Sequence, residues 1–239
     1  MKKKWLVMVA TLLTAFFVVG CSKAIPAEEA APLLIDAMIY NQDTEEFQTN
    51  FAHNKELTTA FSEHRTSFEK NFTQGLLQSG EGLDEQIATD ISEALMKQVR
   101  DTTSYQVKKI TETKPIYHVT YEIKGFDLVQ LIKESTTELL ARIQKDNDLV
   151  KDQKTLIATT VEIMKEKIPM IPANQTATEV TLQLKLNKGQ WEIVNGQDEA
   201  LASLYLAFFS GVRSQEELTT EMTKVIGELS VPSMEETKE

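Results

Sequence analysis

The sequence predicts an α+β fold: a four-stranded antiparallel sheet made of two hairpins, covered by about six or seven helices, behind a cleaved signal peptide. Three observations carry this expectation. Two segments alternate apolar and polar side chains with the period of two that buries one face of a strand. Several others repeat apolar residues every three or four positions, the helical period. The chain of 239 residues holds one cysteine, so packing rather than disulfides must stabilise it.

The chain opens on Met1-Lys2-Lys3-Lys4 and continues from Trp5 to Val19 with only Thr11 and Thr14 interrupting apolar side chains. A basic run followed by about 15 apolar residues is the pattern of a secretory leader, and it falls short of the roughly 20 residues that span a bilayer. The run ends in Val18-Val19-Gly20-Cys21. This ending resembles the lipobox of bacterial lipoproteins. The resemblance implies signal-peptidase recognition at Val18, Val19 and Gly20, cleavage after Gly20, and a diacylglyceryl group on the sulfur of Cys21. Two acyl chains suffice for stable attachment at about 0.8 kcal/mol per buried CH₂. The organisation expected is therefore a signal peptide over 1–20, a lipidated cysteine and tether over 21–32, one extracytoplasmic domain over 33–229 and a disordered tail over 230–239. The tether reading rests on the Ala, Pro and Glu content of Ser22 to Pro32.

Within the domain, Leu33, Leu34, Ala37 and Met38 mark a first helix. Leu57, Phe61, Phe68, Phe72 and Leu76 mark a second, with Asn54 as its expected N-cap. After the breaker Ser79-Gly80-Glu81-Gly82, a third carries Ile87, Ile91, Leu95 and Val99. Tyr117, Val119, Tyr121 and Ile123 then alternate with polar residues, and a strand near Tyr105 to Thr111 is expected to pair with them through Lys114-Pro115. Two amphipathic helices follow, one on Leu128, Ile132, Leu139 and Ile143, the other on Leu149, Leu156, Val161, Met164 and Ile168, ending before Pro169. Val180, Leu182, Leu184 and Leu186 form the next strand, which turns at Asn187-Lys188-Gly189 into Trp191 and Ile193. The last two helices carry Leu201, Leu204, Tyr205 and Phe208, then Leu218, Met222, Val225 and Leu229, the latter behind the capping box Ser214-Gln215-Glu216-Glu217.

Charge narrows the function. The formal charge is −11, and loss of residues 1–20 removes three lysines and no acid, leaving −14. Such a surface excludes nucleic acid as a partner and is repelled by anionic headgroups, which leaves Cys21 as the expected membrane contact. The lack of a cysteine pair points to a Gram-positive surface.

No catalytic constellation stands out. His53, His64 and His118 lack a second ligand at metal spacing, so no metal or other cofactor is expected. Gly-x-Ser-x-Gly, Walker and His-Glu-x-x-His patterns are absent from the sequence. Gly80-Glu81-Gly82 does not follow a strand, and the acidic runs Asp43 to Glu46 and Glu216-Glu217 lack calcium-loop spacing. Tyr117, Tyr121 and Trp191 share the sheet's apolar side; core packing explains them, and a pocket there is the functional alternative.

The whole resembles small Gram-positive surface lipoproteins whose domains have no known function, and its two hairpins are similar to NTF2-like or cystatin-like domains. The expected role is non-enzymatic binding of an envelope protein or a small ligand. The rivals are a transporter-linked solute-binding lipoprotein, which needs two α/β lobes, an envelope enzyme, and a leader trimmed to an octapeptide pheromone from Leu13 to Gly20.

Overall fold

The alternating segments do form strands, and they join into one sheet. The structure, a computed structural model, describes residues 24–59, 61–63, 66, 70 and 85–229. The leader, the lipobox-like residues, His64, most of the expected second helix and the Gly80 breaker lie outside the described residues. Helix α1 (Ala27–Ile35) runs into a π-helical turn over Asp36–Tyr40, and α2 (Thr44–Asn50) follows. After α3 (Glu85–Thr102) come β1 (Ser104–Thr113) and β2 (Ile116–Lys124), then α4 (Leu128–Lys145) and α5 (Gln153–Lys167). The second hairpin is β3 (Thr178–Asn187) and β4 (Gln190–Ile193), and α6 (Asp198–Ser210) and α7 (Gln215–Leu229) close the described chain.

The strands pair antiparallel in the order β1-β2-β3-β4. This is the α+β class with a four-stranded antiparallel sheet that the sequence predicts. It is a single sheet among the described residues, not the two α/β lobes required of the solute-binding rival.

The period of two decides which face is wet. Val119, Tyr121 and Ile123 on β2, Val180, Leu182 and Leu184 on β3, and Trp191 on β4 are buried. The other face carries the Thr120–Thr181 hydroxyl pair and Lys108, which bonds both Glu122 and Glu179 across three strands. Leu186, expected in the buried stripe, is 41% exposed because β3 ends beside the turn. On the outer strand β1 the register slips between Val107 and Lys109. This bulge puts two exposed lysines, Lys108 and Lys109, in succession on the edge of the sheet.

Among the described residues, helices cover the buried face. Helix α6 packs on β2 and β3, and α1 packs on β1. Helix α6 is apolar nearly all round, as a helix between two layers must be, with Leu204, Ala207 and Phe208 fully buried. Helices α4, α5 and α7 lie further out, contacting one another more than the sheet. For that reason α4 buries Leu128, Leu131 and Ser135 rather than a full stripe through Ile132, Leu139 and Ile143.

Two expectations are corrected at the start of the domain. The tether expected over 21–32 is helical from Ala27 onward, and Ala30 and Ala31 are completely buried. Alanine gives a weak hydrophobic signal, yet its small side chain lets the helix backbone approach the sheet closely. Asn54 does not cap the second helix; it begins it, and its amide donates back to the carbonyls of Gln48 and Phe51 at the end of α2.

Trp191 holds the two ends of the domain together. Its ring meets Tyr117 edge-on at 5.0 Å, and its Nε1–H donates to the Ile25 carbonyl at 2.9 Å. Trp191→Ala should therefore cost about 3–5 kcal/mol. Trp191→Phe refills much of that volume and loses chiefly the hydrogen bond, so its cost should be nearer 1–2 kcal/mol. Urea unfolding of the leaderless domain measures both, and a wild-type-like midpoint for Trp191→Ala would contradict the packing role.

Candidate functional site

The aromatic residues singled out in the sequence are brought together, but as packing. Tyr121 is wholly buried and its hydroxyl donates to the Ala31 carbonyl at 2.9 Å. The Tyr117 hydroxyl reaches the other way, to Glu112 Oε1 at 3.0 Å. Next to them, the single hydroxyl proton of Tyr105 is shared between Asp36 Oδ1 at 2.6 Å and the Pro32 carbonyl at 3.0 Å. Helix α1 thus occupies the space where a pocket over Tyr117, Tyr121 and Trp191 was the alternative. Burial of a donor without an acceptor is costly, and the α1 carbonyls meet that need.

Of the expected histidines, His53 sits at positive φ and pairs with Glu56 at 3.3 Å, on the surface. His118 lies opposite Thr111 and Gln183 on the wet face of the sheet. Among the described residues no group of three His, Cys, Asp or Glu side chains is placed to hold a metal ion.

A concave site does exist, at the opposite end of the strands from both hairpin turns. It is a groove of about 760 Å³ between the start of α4, the segment leading into β3 and the α6–α7 junction. Gly125 makes this convergence possible: a Cβ there would lie 1.7 Å from the Ala207 carbonyl oxygen, so only glycine lets β2 leave the sheet across α6. The crossing is fastened by backbone hydrogen bonds from Phe126 N to the Phe208 carbonyl and from Asn174 N to the Gly125 carbonyl. Gly211, at φ +71°, ends α6 in the left-handed region, and its carbonyl accepts the Thr178 hydroxyl at 2.8 Å.

Two helices begin at this groove. Asp127 caps α4 by accepting the Gln130 N–H at 2.8 Å, and Ser214 Oγ caps α7 by accepting the Glu217 N–H at 3.1 Å. The reciprocal half of the expected capping box is shifted by one residue, since the Glu217 carboxylate accepts from Arg213 N at 2.9 Å. Asp127, Glu179, Glu216, Glu217 and Glu221 line the groove with one guanidinium, Arg213, and the polar side chains of Asn174, Thr176 and Thr178. The lining is rich in hydrogen-bond acceptors and suits ligands that bring donors, such as amines, guanidines or polyols. It was not legible in the sequence, because each contributing segment shows only ordinary turn and cap chemistry.

A family model described as a domain of unknown function, DUF5105, matches residues 22–209. The chain belongs to this family. No curated protein matches it. Among solved structures it is similar to the crystal structure of ycdA from Bacillus subtilis, described as a "putative lipoprotein". The two are 17% identical with a TM-score of 0.52, over 76% of this chain and 55% of that one. The chain therefore spans about half the length of that structure, and the likeness is one of fold. The DUF5105 region takes in the Asp127 and Asn174 walls of the groove and stops short of Gly211 and α7.

The buried phenols give the fold a pH limit. Burial, reinforced by the charge of Asp36, pushes Tyr121 far above its ordinary value of 10.0, and burial together with the Asp36 hydrogen bond does the same to Tyr105. Both remain protonated in the fold where an unfolded chain would ionise them. Their contribution is whole below about pH 10 and declines as pH rises beyond it, by about 1.4 kcal/mol per pH unit for Tyr121 alone. Urea midpoints should be flat in this respect from pH 8 to 9 and fall steeply by pH 11, with a shallower fall in Tyr121→Phe; identical slopes in the two proteins would refute the assignment.

Proposed function

We propose that this DUF5105 chain is a lipid-anchored extracytoplasmic module, attached through a diacylglyceryl group on Cys21, that acts by binding rather than catalysis. The observation that carries the anchor is the abutment of leader and fold. The family match begins at residue 22, directly after Cys21, and among the described residues Ile25 is already held by the fold through its hydrogen bond from Trp191. A cysteine set between an apolar leader and a domain that begins at once has the position an anchor requires. The description of ycdA as a lipoprotein agrees with this reading, and no helix among the described residues is long and apolar enough to cross a membrane.

The acceptor-lined groove at Asp127, Asn174 and Arg213 is the binding surface on this reading. The Ser214 hydroxyl oxygen caps α7 and Asp127 caps α4, Glu217 accepts the Arg213 N–H, and Glu179 and Glu221 pair with Lys108 and Lys224. The partner is an envelope protein or a small ligand that supplies hydrogen-bond donors.

Mass spectrometry of the mature amino terminus tests the anchor. The expected first residue is Cys21 carrying the diacylglyceryl group, and an unmodified terminus, or one at another residue, would refute it. Cys21→Ala should leave the melting temperature of the domain unchanged within about 1 °C, because the buried core runs from Ala27 onward, while the protein leaves the membrane fraction or persists as uncleaved precursor. At about 0.8 kcal/mol per lost CH₂, nothing in so acidic a domain replaces the two acyl chains.

A further inference from the structure

We infer that the two hairpin turns, Lys114-Pro115 and Asn187-Lys188-Gly189, rest on the phospholipid surface while the groove opens at the opposite, outward end of the sheet. This rests on lipidation at Cys21 and adds a fixed orientation to it. The first support is the length of the connecting chain. Cys21 is four residues from Ile25, so even a fully extended backbone keeps its Cα within about 14 Å of that of Ile25. Ile25 is not loose: its carbonyl is held by the indole of Trp191.

The second support is where Trp191 sits. It pairs with Leu186 beside the β3–β4 turn, and Ile116, at the start of β2, pairs with Lys185, so both hairpin turns occupy this end of the sheet. From there α1 runs along the sheet toward the other end, as the bonds from Tyr121 to Ala31 and from Tyr105 to Pro32 show. The groove begins at Thr178, eight residue steps along β3 from Leu186, or about 27 Å. That exceeds the reach of the tether, so the acyl chains cannot be beside the groove.

The charges are arranged in the same sense. Lys114 and Lys188 are exposed at the turns, and Lys23 lies in the connection, whereas five carboxylates line the distant groove. A lysine near an anionic surface is attracted to it. Glu28 and Glu29 share the lysine end, and Glu112 pairs with Lys114 at 4.0 Å, so the anchor sets the contact and charge only favours it.

The experiment uses the full-length chain, purified from membranes and placed in phosphatidylcholine–phosphatidylglycerol vesicles. Lipidation blocks the one native thiol, so Lys188→Cys or Thr176→Cys supplies a single site for a fluorophore. Lipids carrying a headgroup nitroxide should quench the label at 188 at least threefold more than the label at 176. Ten glycine–serine residues inserted between Lys23 and Ala24 should erase most of that difference. Equal quenching at both sites, or stronger quenching at 176, overturns the orientation. Disulfide-linked dimers through the cysteine at 188, without quenching, would assign this end to a second copy and overturn it as well. Intact mass separates the two levels: a lipidated chain with the wrong quenching pattern refutes the orientation alone, while a chain without the diacylglyceryl mass refutes the anchor and the orientation with it.

Discussion

Three polar donors in an apolar layer determine how this domain begins. The indole N–H of Trp191 and the hydroxyls of Tyr121 and Tyr105 are wholly or partly removed from water, and each requires an acceptor. The carbonyls of Ile25 and Ala31 serve the first two, and Asp36 Oδ1 with the Pro32 carbonyl serves the third. A helical carbonyl has a second lone pair, so α1 can accept these bonds in addition to its own. Only a helix lined with small residues can come so close, and Ala27, Ala30 and Ala31 provide that face. Remaining features follow from this contact. The π-helical turn after Ile35 brings Asp36 to Tyr105 and Tyr40 to Thr103, and α6 fills the rest of the sheet face beside α1.

The sheet was legible in the sequence because its signal is local and repetitive. Val119, Tyr121 and Ile123 face inward for the same reason as Val180, Leu182 and Leu184, and Asn187-Lys188-Gly189 supplies the positive φ values that its turn demands at Lys188 and Gly189. Helix α1 was not legible. Ala27 to Pro32 has the composition of a linker, and its burial is decided by donors 73 and 90 residues away in the chain. The stripe on α4 was read too broadly, since periodicity marks an apolar face without saying how deeply the face is buried.

The groove was illegible for a different reason. Its walls come from the α4 cap, the segment around Asn174 and the Gly211–Ser214 junction, which meet only because Gly125 admits a backbone crossing. Read singly, Asp127 and Ser214 are caps, and Gly211 is a helix stop. Their convergence is a tertiary fact, and their acceptor-rich character emerges only when the carboxylates are counted in space. The fold thus separates two kinds of work. One end of the sheet is closed where Trp191 packs on Tyr117 and holds Ile25, and the other carries an open, polar groove.

The bulge on β1 bears on how the sheet meets other chains. A ten-residue outer strand would offer a neighbouring chain a ladder of unpaired backbone groups. Lys108 and Lys109 interrupt that ladder near its middle, where the added twist and two adjacent charges spoil the register for an incoming strand. The same irregularity that ties Lys108 to Glu122 and Glu179 therefore blunts the outer edge of the sheet against pairing with a strand of another chain.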